Sequence, residues 1–115
     1  MNRRLRIIAV VRAIALMECL LLVGCFSPDP KSLTSDNPAS AIPAIKEAAS
    51  TSDHKAIPRL IADLSENDAA IRFAAIRALQ RITGETLDYR YYDEESARAP
   101  AIERWKQWLV DHPVK

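Results

Sequence analysis

The chain offers few side chains able to make or break bonds: two cysteines, two histidines and three tyrosines among 115 residues. Cys19 and Cys25 fall in the N-terminal stretch, His54 and His112 stand far apart, and Tyr89, Tyr91 and Tyr92 share one short segment. Nucleophilic catalysis needs a thiol or hydroxyl beside a base that a third group orients. Zinc needs about four clustered Cys, His or carboxylate ligands. Neither histidine belongs to such a spacing. With Gly24 and Gly84 the only glycines, no glycine-rich loop exists to cradle a phosphate. These residue types point away from an enzyme and call for neither metal nor cofactor. They leave one thiol in a distinctive setting, a tyrosine cluster and several arginines.

The setting of Cys25 bears on location. A basic start, "MNRRLR", precedes an apolar run from Ile7 to Val23, which ends in Gly24-Cys25 and then turn formers. This is the order of an export signal. A transmembrane span needs about 20 apolar residues. The run is shorter and carries Arg12 and Glu18, each costing about 2.5 to 3.5 kcal/mol at a bilayer centre. A leader reading through "AIALMECLLLVG" therefore fits better than a permanent span, with Glu18 as its blemish.

Leu22-Val23-Gly24-Cys25 resembles the lipobox of bacterial lipoproteins. The resemblance implies that the Cys25 thiol accepts diacylglycerol and that the leader is cut before it. Leu22, Val23 and Gly24 would be the peptidase recognition residues, and acyl chains such as palmitate would anchor the protein. The other reading is an ordinary buried or membrane-embedded cysteine. In the lipoprotein reading Cys19 leaves with the leader and Cys25 carries lipid, so the mature domain holds no thiol and no disulfide. Phe26 stands where enteric sorting rules place aspartate for inner-membrane retention. The resemblance thus implies a periplasm-facing protein of the cell envelope, in the outer membrane by that rule.

Charge agrees with such a partition. The formal charge is +1, but Arg3, Arg4, Arg6 and Arg12 against Glu18 leave the leader positive and the remainder mildly acidic. Nothing here predicts nucleic acid as a partner. After Cys25, "FSPDPKSLTSDNPAS" is too poor in apolar residues to offset its ordering entropy. Residues 26–39 read as a tether with a root-mean-square reach of about 20 Å, or about 45 Å fully extended; a loop packed on the domain is the alternative. The chain divides into a signal peptide (1–24), a lipidated cysteine with flexible linker (25–39) and a folded domain (40–115).

The folded part has helical periodicity throughout. The first helix places Ile42, Ile45, Ala48 and Ala49 on one stripe with Ser40 as its cap, and "STSD" breaks it. Asp53 caps a second helix with Ile57, Leu60, Ile61 and Leu64 inward and Pro58 bending its first turns. Asn67 or Asp68 caps a third, with Ile71, Ala75, Ala78, Leu79 and Ile82 on one side. Phe73 and Ile76 widen its apolar arc toward a second neighbour, and Gly84 stops it. The last carries Ile102, Trp105, Trp108 and Leu109 at helical spacing, with Pro100 near its first turn and Pro113 beyond its end. Both tryptophans read as core anchors. The fold class predicted is all-α: about four short helices in an antiparallel stack. So small a core supplies roughly 3 to 5 kcal/mol of net stability.

"AIPRLIADLSENDAAIRFAAIRALQRITG", residues 56–84, resembles a HEAT repeat of the short bacterial kind also seen in phycobilin lyases. Ile57-Pro58, Leu60, Leu64, Asp68, Ile71-Arg72, Ala75, Ala78-Leu79 and Gly84 carry the likeness. The adjoining "TGETLDYRYYDEESARAPAIERWKQWL" resembles the tail that closes some bacterial HEAT proteins. The resemblance implies an α-solenoid stack and gives the residue matching Arg72 a structural role, here assigned beside Asp68 one helical turn earlier. Only one complete repeat is present; Ala41-Ile42-Pro43 echoes Ala56-Ile57-Pro58 at too short an interval for another. A long concave face needs several repeats.

Two groups of residues present candidate surfaces. Arg77 and Arg81 share a helix face, with Arg59 expected nearby, forming either a phosphate-binding patch or a solvated face. "DYRYYDEE", residues 88–95, carries Tyr89, Tyr91 and Tyr92 as a recognition surface; alternatively Tyr89 and Tyr92 tuck under the loop and Tyr91 stays exposed. Asp88, Asp93, Glu94 and Glu95 lack the ligand order and central glycine of a calcium loop. The function expected is a non-catalytic, membrane-anchored adaptor that binds an envelope protein through Tyr89, Tyr91, Tyr92, Arg77 and Arg81. The alternatives are a structural accessory or self-associating subunit of a membrane complex, and a degenerate relative of the lyases.

Overall fold

The computed structural model describes residues 31–115, so Leu22, Val23, Gly24, Cys25 and Phe26 lie outside the described residues. Within them the fold is all-helical, with four α-helices, one 3₁₀ turn and no strand. The helices are α1 (Pro38–Ser50), α2 (Ile57–Asp63), α3 (Ala69–Thr83) and α4 (Glu95–Asp111). Helix α1 packs along α3, α2 packs on α3, and α4 closes against α2. No helix among the described residues is long and apolar enough to cross a membrane.

Local signals set most of the ends. Asn37 caps α1 by accepting from the Ala39 N–H, with Pro38 in the first turn, where its missing donor costs nothing. This corrects Ser40 as the cap: Ser40 is buried inside the helix. The structured region also starts earlier than residue 40. The Ser32 N–H donates to the Ser40 carbonyl, Leu33 packs on the core, and Lys31 pairs with Glu47 at 3.1 Å. Lys31, Ser32 and Leu33 thus contact the domain. Helix α1 ends in a Schellman arrangement, with Asp53 N–H on Ala48 O and Ser52 N–H on Ala49 O. Ser52 takes the left-handed position (φ 51°) that glycine usually fills.

Asp53 does cap, but the segment after it is not one bent helix. Its carboxylate accepts from Lys55 N in a 3₁₀ turn, His54–Ala56, after which α2 begins with Pro58 in its first turn. Proline lacks only a donor that a helix start leaves unbonded, so the chain restarts there instead of kinking. Asp68, not Asn67, caps α3 through the N–H groups of Ala70 (2.8 Å) and Ile71 (3.1 Å). Gly84, at φ 81°, ends α3 in the left-handed region.

The core is one cluster drawn from every element. Ile45 from α1, Leu60 and Leu64 from the α2 segment, Ile71 and Leu79 from α3 and Trp105 from α4 have almost no exposed surface. The predicted stripes supply this core, although Ile42, Ala49, Ile82 and Leu109 are only partly buried. Phe73 on α3 is 47% exposed and stays out of the core, while Ile76 is buried and α3 does pack on two neighbours, α1 and α2. Trp108 is only partly buried. Pro100 sits a turn deeper into α4 than expected, because the helix already starts at Glu95. The carbonyl that Pro100 leaves without a helical donor belongs to exposed Ser96, where water reaches it.

Candidate functional site

The loop from Gly84 to Glu94 must leave a helix stop and find a route back over α2, and it does so on backbone turns held by side chains. Leu87 (φ 50°) and Asp88 (φ 59°) form the centre of a tight turn closed by Tyr89 N–H on Thr86 O at 3.0 Å. Both positive φ values match a type I′ turn, which usually uses Asn-Gly. Leu87 tolerates the position because its side chain packs on the core, and Arg104 Nε donates to its carbonyl at 2.9 Å. Trp105 anchors the same turn, its indole N–H donating to Thr86 O at 3.2 Å while its ring fills the core.

Two buried arginines then fix the rest of the loop. Arg72 donates from Nε to Tyr91 O (2.9 Å) and from a terminal nitrogen to Glu66 O and Asn67 O (2.7 Å each). Arg98 donates to Asp93 O (3.0 Å) and to Leu64 O (3.1 Å). Each is 8% exposed and satisfied by carbonyls, not by a carboxylate. The structural role of Arg72 is therefore different from a pairing with Asp68, whose carboxylate faces the backbone N–H groups of α3. Sequence reasoning misses Arg98, although its spacing is informative. It precedes Ala101, Ile102 and Trp105 by one to two turns on the buried face of α4.

The three tyrosines separate. Tyr89 is buried, and its hydroxyl donates to Leu64 O at 2.7 Å, sharing that carbonyl with Arg98. Burial pushes its pKa up, against the lowering pull of Arg98 and Arg72. It belongs to the core, not to the exposed surface of the loop. Tyr92 is 67% exposed and Tyr91 half-buried, the reverse of the alternative that tucked Tyr92 inside. Tyr91 joins the surface to α3: its ring lies 4.9 Å from Phe73 and 5.3 Å from Tyr92. Phe73, Tyr91 and Tyr92 thus make a continuous aromatic run at the surface.

That run leads into an open groove of about 840 Å³ between α1 and α3. Ile42 and Ala49 from α1 and Ala70, Phe73 and Ala74 from α3 supply apolar lining, while Lys46, Arg77 and Arg81 add cations. Arg77 and Arg81, predicted to share a face, do so here. Arg59 does not join them. It sits on α2, with Nε 2.8 Å from Asp63 Oδ1 and its terminal nitrogen 3.9 Å from both Asp36 and Glu66. Asp63 is itself buried, and Oδ2 has no hydrogen-bond partner among the described residues. Its carboxyl is pushed up to about 6, chiefly by burial and against the attraction of Arg59, with Glu66 and Asp36 adding repulsion. The signal for this pair is the four-residue spacing of Arg59 and Asp63.

His54 and His112, though distant in sequence, line one smaller cavity of about 490 Å³ with Ile57, Ile82 and Trp108. The His112 ring stacks on Trp108 at 4.3 Å, and its Nδ1 lies 2.9 Å from Trp108 O. Among the described residues no carboxylate side chain lines this cavity. Nor do any three described His, Cys, Asp or Glu side chains converge to hold a metal ion. The arrangement with the most organised exposed surface is therefore the aromatic run joined to the α1/α3 groove. No protein-family model, curated protein or solved structure matches this chain.

Proposed function

We propose that this chain is a non-catalytic, lipid-anchored adaptor of the bacterial cell envelope, whose small helical domain of HEAT-repeat type holds a protein partner. The observation that carries the binding role is the continuity of Phe73, Tyr91 and Tyr92 with the groove bearing Arg77 and Arg81. Exposed aromatics beside arginines are the composition of protein-binding surfaces. The anchoring role rests on Leu22-Val23-Gly24-Cys25, which resembles a lipobox. The HEAT-type reading is supported by the α2–α3 pair, with Asp68 capping, Arg72 bracing the intervening turn and Gly84 closing.

A second reading, a self-associating or structural subunit of a membrane complex, draws on Val110, which is 72% exposed near the end of α4. One experiment separates the two. A C-terminally tagged chain is cross-linked in its native cells and recovered from membranes beside Phe73→Ala/Tyr92→Ala and Cys25→Ser variants. The adaptor reading expects one defined partner, lost in the aromatic variant, and loss of membrane association with Cys25→Ser. Recovery of the chain with itself alone sinks the adaptor in favour of self-assembly. A Cys25→Ser protein that still bears lipid and stays with membranes refutes the anchor.

A further inference from the structure

The groove has a shape and a charge that narrow its occupant, given the adaptor reading on which this inference rests. From Ala70 to Arg81 it runs along α3 for about 16 Å, or about three helical turns. Small residues make up much of its lining, Ala70 and Ala74 one turn apart on α3 and Ala49 on α1, with Ile42 and Ile45 as the larger apolar groups. Small residues at that spacing let a third helix approach to about 8–10 Å between axes. Phe73 stands beside them, 47% exposed.

The charge is of one sign. Arg77 and Arg81 lie one turn apart on α3, Lys46 lines the groove from α1, and among the described residues no carboxylate lines it. None of the three forms a salt bridge with a described residue, and the hydrogen bond from Arg77 to Gln80 at 3.4 Å is to a neutral amide. Two exposed lysines elsewhere do find acids, Lys31 on Glu47 and Lys106 on Glu103, while exposed Lys55, Arg90 and Arg104 stand outside the groove and form no ion pair with a described residue. Apolar side chains, Ile42, Ala49, Ala70, Phe73 and Ala74, line the same groove, which suits an amphipathic chain better than a bare phosphate.

We propose that the groove receives an acidic amphipathic α-helix of the partner protein, about three turns long. Its apolar face, at positions i, i+3, i+4 and i+7, lies over Ala70, Ala74 and Ala49 beside Phe73. Carboxylates on its flanks meet Arg77 and Arg81 on one side and Lys46 on the other. The concavity between two helices suits a cylinder and not a flat bilayer, and the cations favour acidic over basic helices and set the orientation.

The test titrates the full-length chain in neutral detergent micelles against a fluorescent peptide of about 14 residues with leucines at the four apolar positions and glutamates on both flanks. A twin peptide carries lysines in place of the glutamates, and empty micelles are titrated in parallel. The glutamate peptide should bind at least about tenfold more tightly than the lysine peptide, and the preference should weaken as salt rises. Arg77→Glu/Arg81→Glu should remove or invert the preference, whereas Lys106→Glu, outside the groove, should leave it. Circular dichroism checks that each variant remains helical. Equal binding of both peptides, or a preference unmoved by the double variant, overturns the proposal. So does capture by anionic phospholipid vesicles, or self-association, that depends on Arg77 and Arg81 while the glutamate peptide does not bind. If a cross-linked partner depends on Phe73 and Tyr92 but both peptides bind alike, the adaptor stands and the acidic helix falls. If the glutamate peptide is selected but no partner is ever cross-linked, the groove chemistry stands and the envelope adaptor role falls.

Discussion

Asp63 gives the most direct electrostatic test of the fold. Its side chain is 1% exposed, Arg59 Nε lies 2.8 Å from Oδ1, and Oδ2 lacks a partner among the described residues. Burial raises its pKa from 3.8 to about 6 despite Arg59. The folded state therefore holds the proton more tightly than the unfolded chain does. Asp63 contributes full stability below 3.8 and loses it as pH rises to about 6, after which the loss is constant. That interval corresponds to about 3 kcal/mol, a large share of the stability of so small a domain. Asp63→Asn removes the titration and keeps the shape. Urea unfolding of wild type and variant would be measured in steps from about pH 3.5 to about pH 7.5. The variant should gain on wild type by up to about 3 kcal/mol across that range. An orphaned amide adds a constant offset but no slope, so only the pH dependence of the difference is diagnostic. A flat difference refutes the burial argument. A difference of opposite sign would mean that the Arg59 ion pair outweighs desolvation.

Arg72→Met should be among the most damaging single changes, because it leaves the carbonyls of Glu66, Asn67 and Tyr91 without their donor. A loss of about 3 kcal/mol or more is expected in thermal or urea unfolding, and a loss under about 1 kcal/mol would show that water replaces the guanidinium freely. Gly84→Ala isolates backbone strain, since an added Cβ meets nothing within 4 Å and only the φ of 81° opposes it. It should cost about 1 kcal/mol, and a stability equal to wild type would mean that the turn relaxes out of the left-handed region.

Where a feature depends on neighbours in sequence, the residues spell it out; where it depends on a distant carbonyl, they do not. The apolar stripes of α1, α2 and α3, the caps at Asp53 and Asp68 and the stop at Gly84 come from spacing and side-chain chemistry within one or two turns. Ser40 passes for a cap because Asn37 lies behind Pro38 in a stretch whose composition suggests a tether. The fate of the tyrosines is not legible, since Tyr89 is buried by a hydroxyl bond to Leu64, 25 positions away. Arg72 and Arg98 give no sign of their bonds for the same reason: their partners are main-chain carbonyls, which leave no complementary residue in the sequence. Arg77 and Arg81 are found together because a helix face is a local property. Their union with Phe73, Tyr91 and Tyr92 needs the Arg72 contact that brings the loop against α3.

Two pairs of arginines are put to opposite uses. Arg72 and Arg98 are buried and spend their donors on carbonyls, which stay neutral at every pH, so the loop they hold does not soften when acids titrate. A guanidinium suits this task because its planar fork loses little freedom per hydrogen bond. The consequence reaches the surface: Tyr91 is held by its own carbonyl, which fixes the backbone beneath the aromatic run. Arg77 and Arg81 make the opposite choice. They stand at the mouth of an apolar groove with no ion pair among the described residues, although acidic side chains occur elsewhere on the same small domain. Such cations do little for the fold, since exposed charges contribute about 1 kcal/mol at most even when paired. In the proposal above, carboxylates of an acidic helix would complete them beside the aromatic run and the apolar lining.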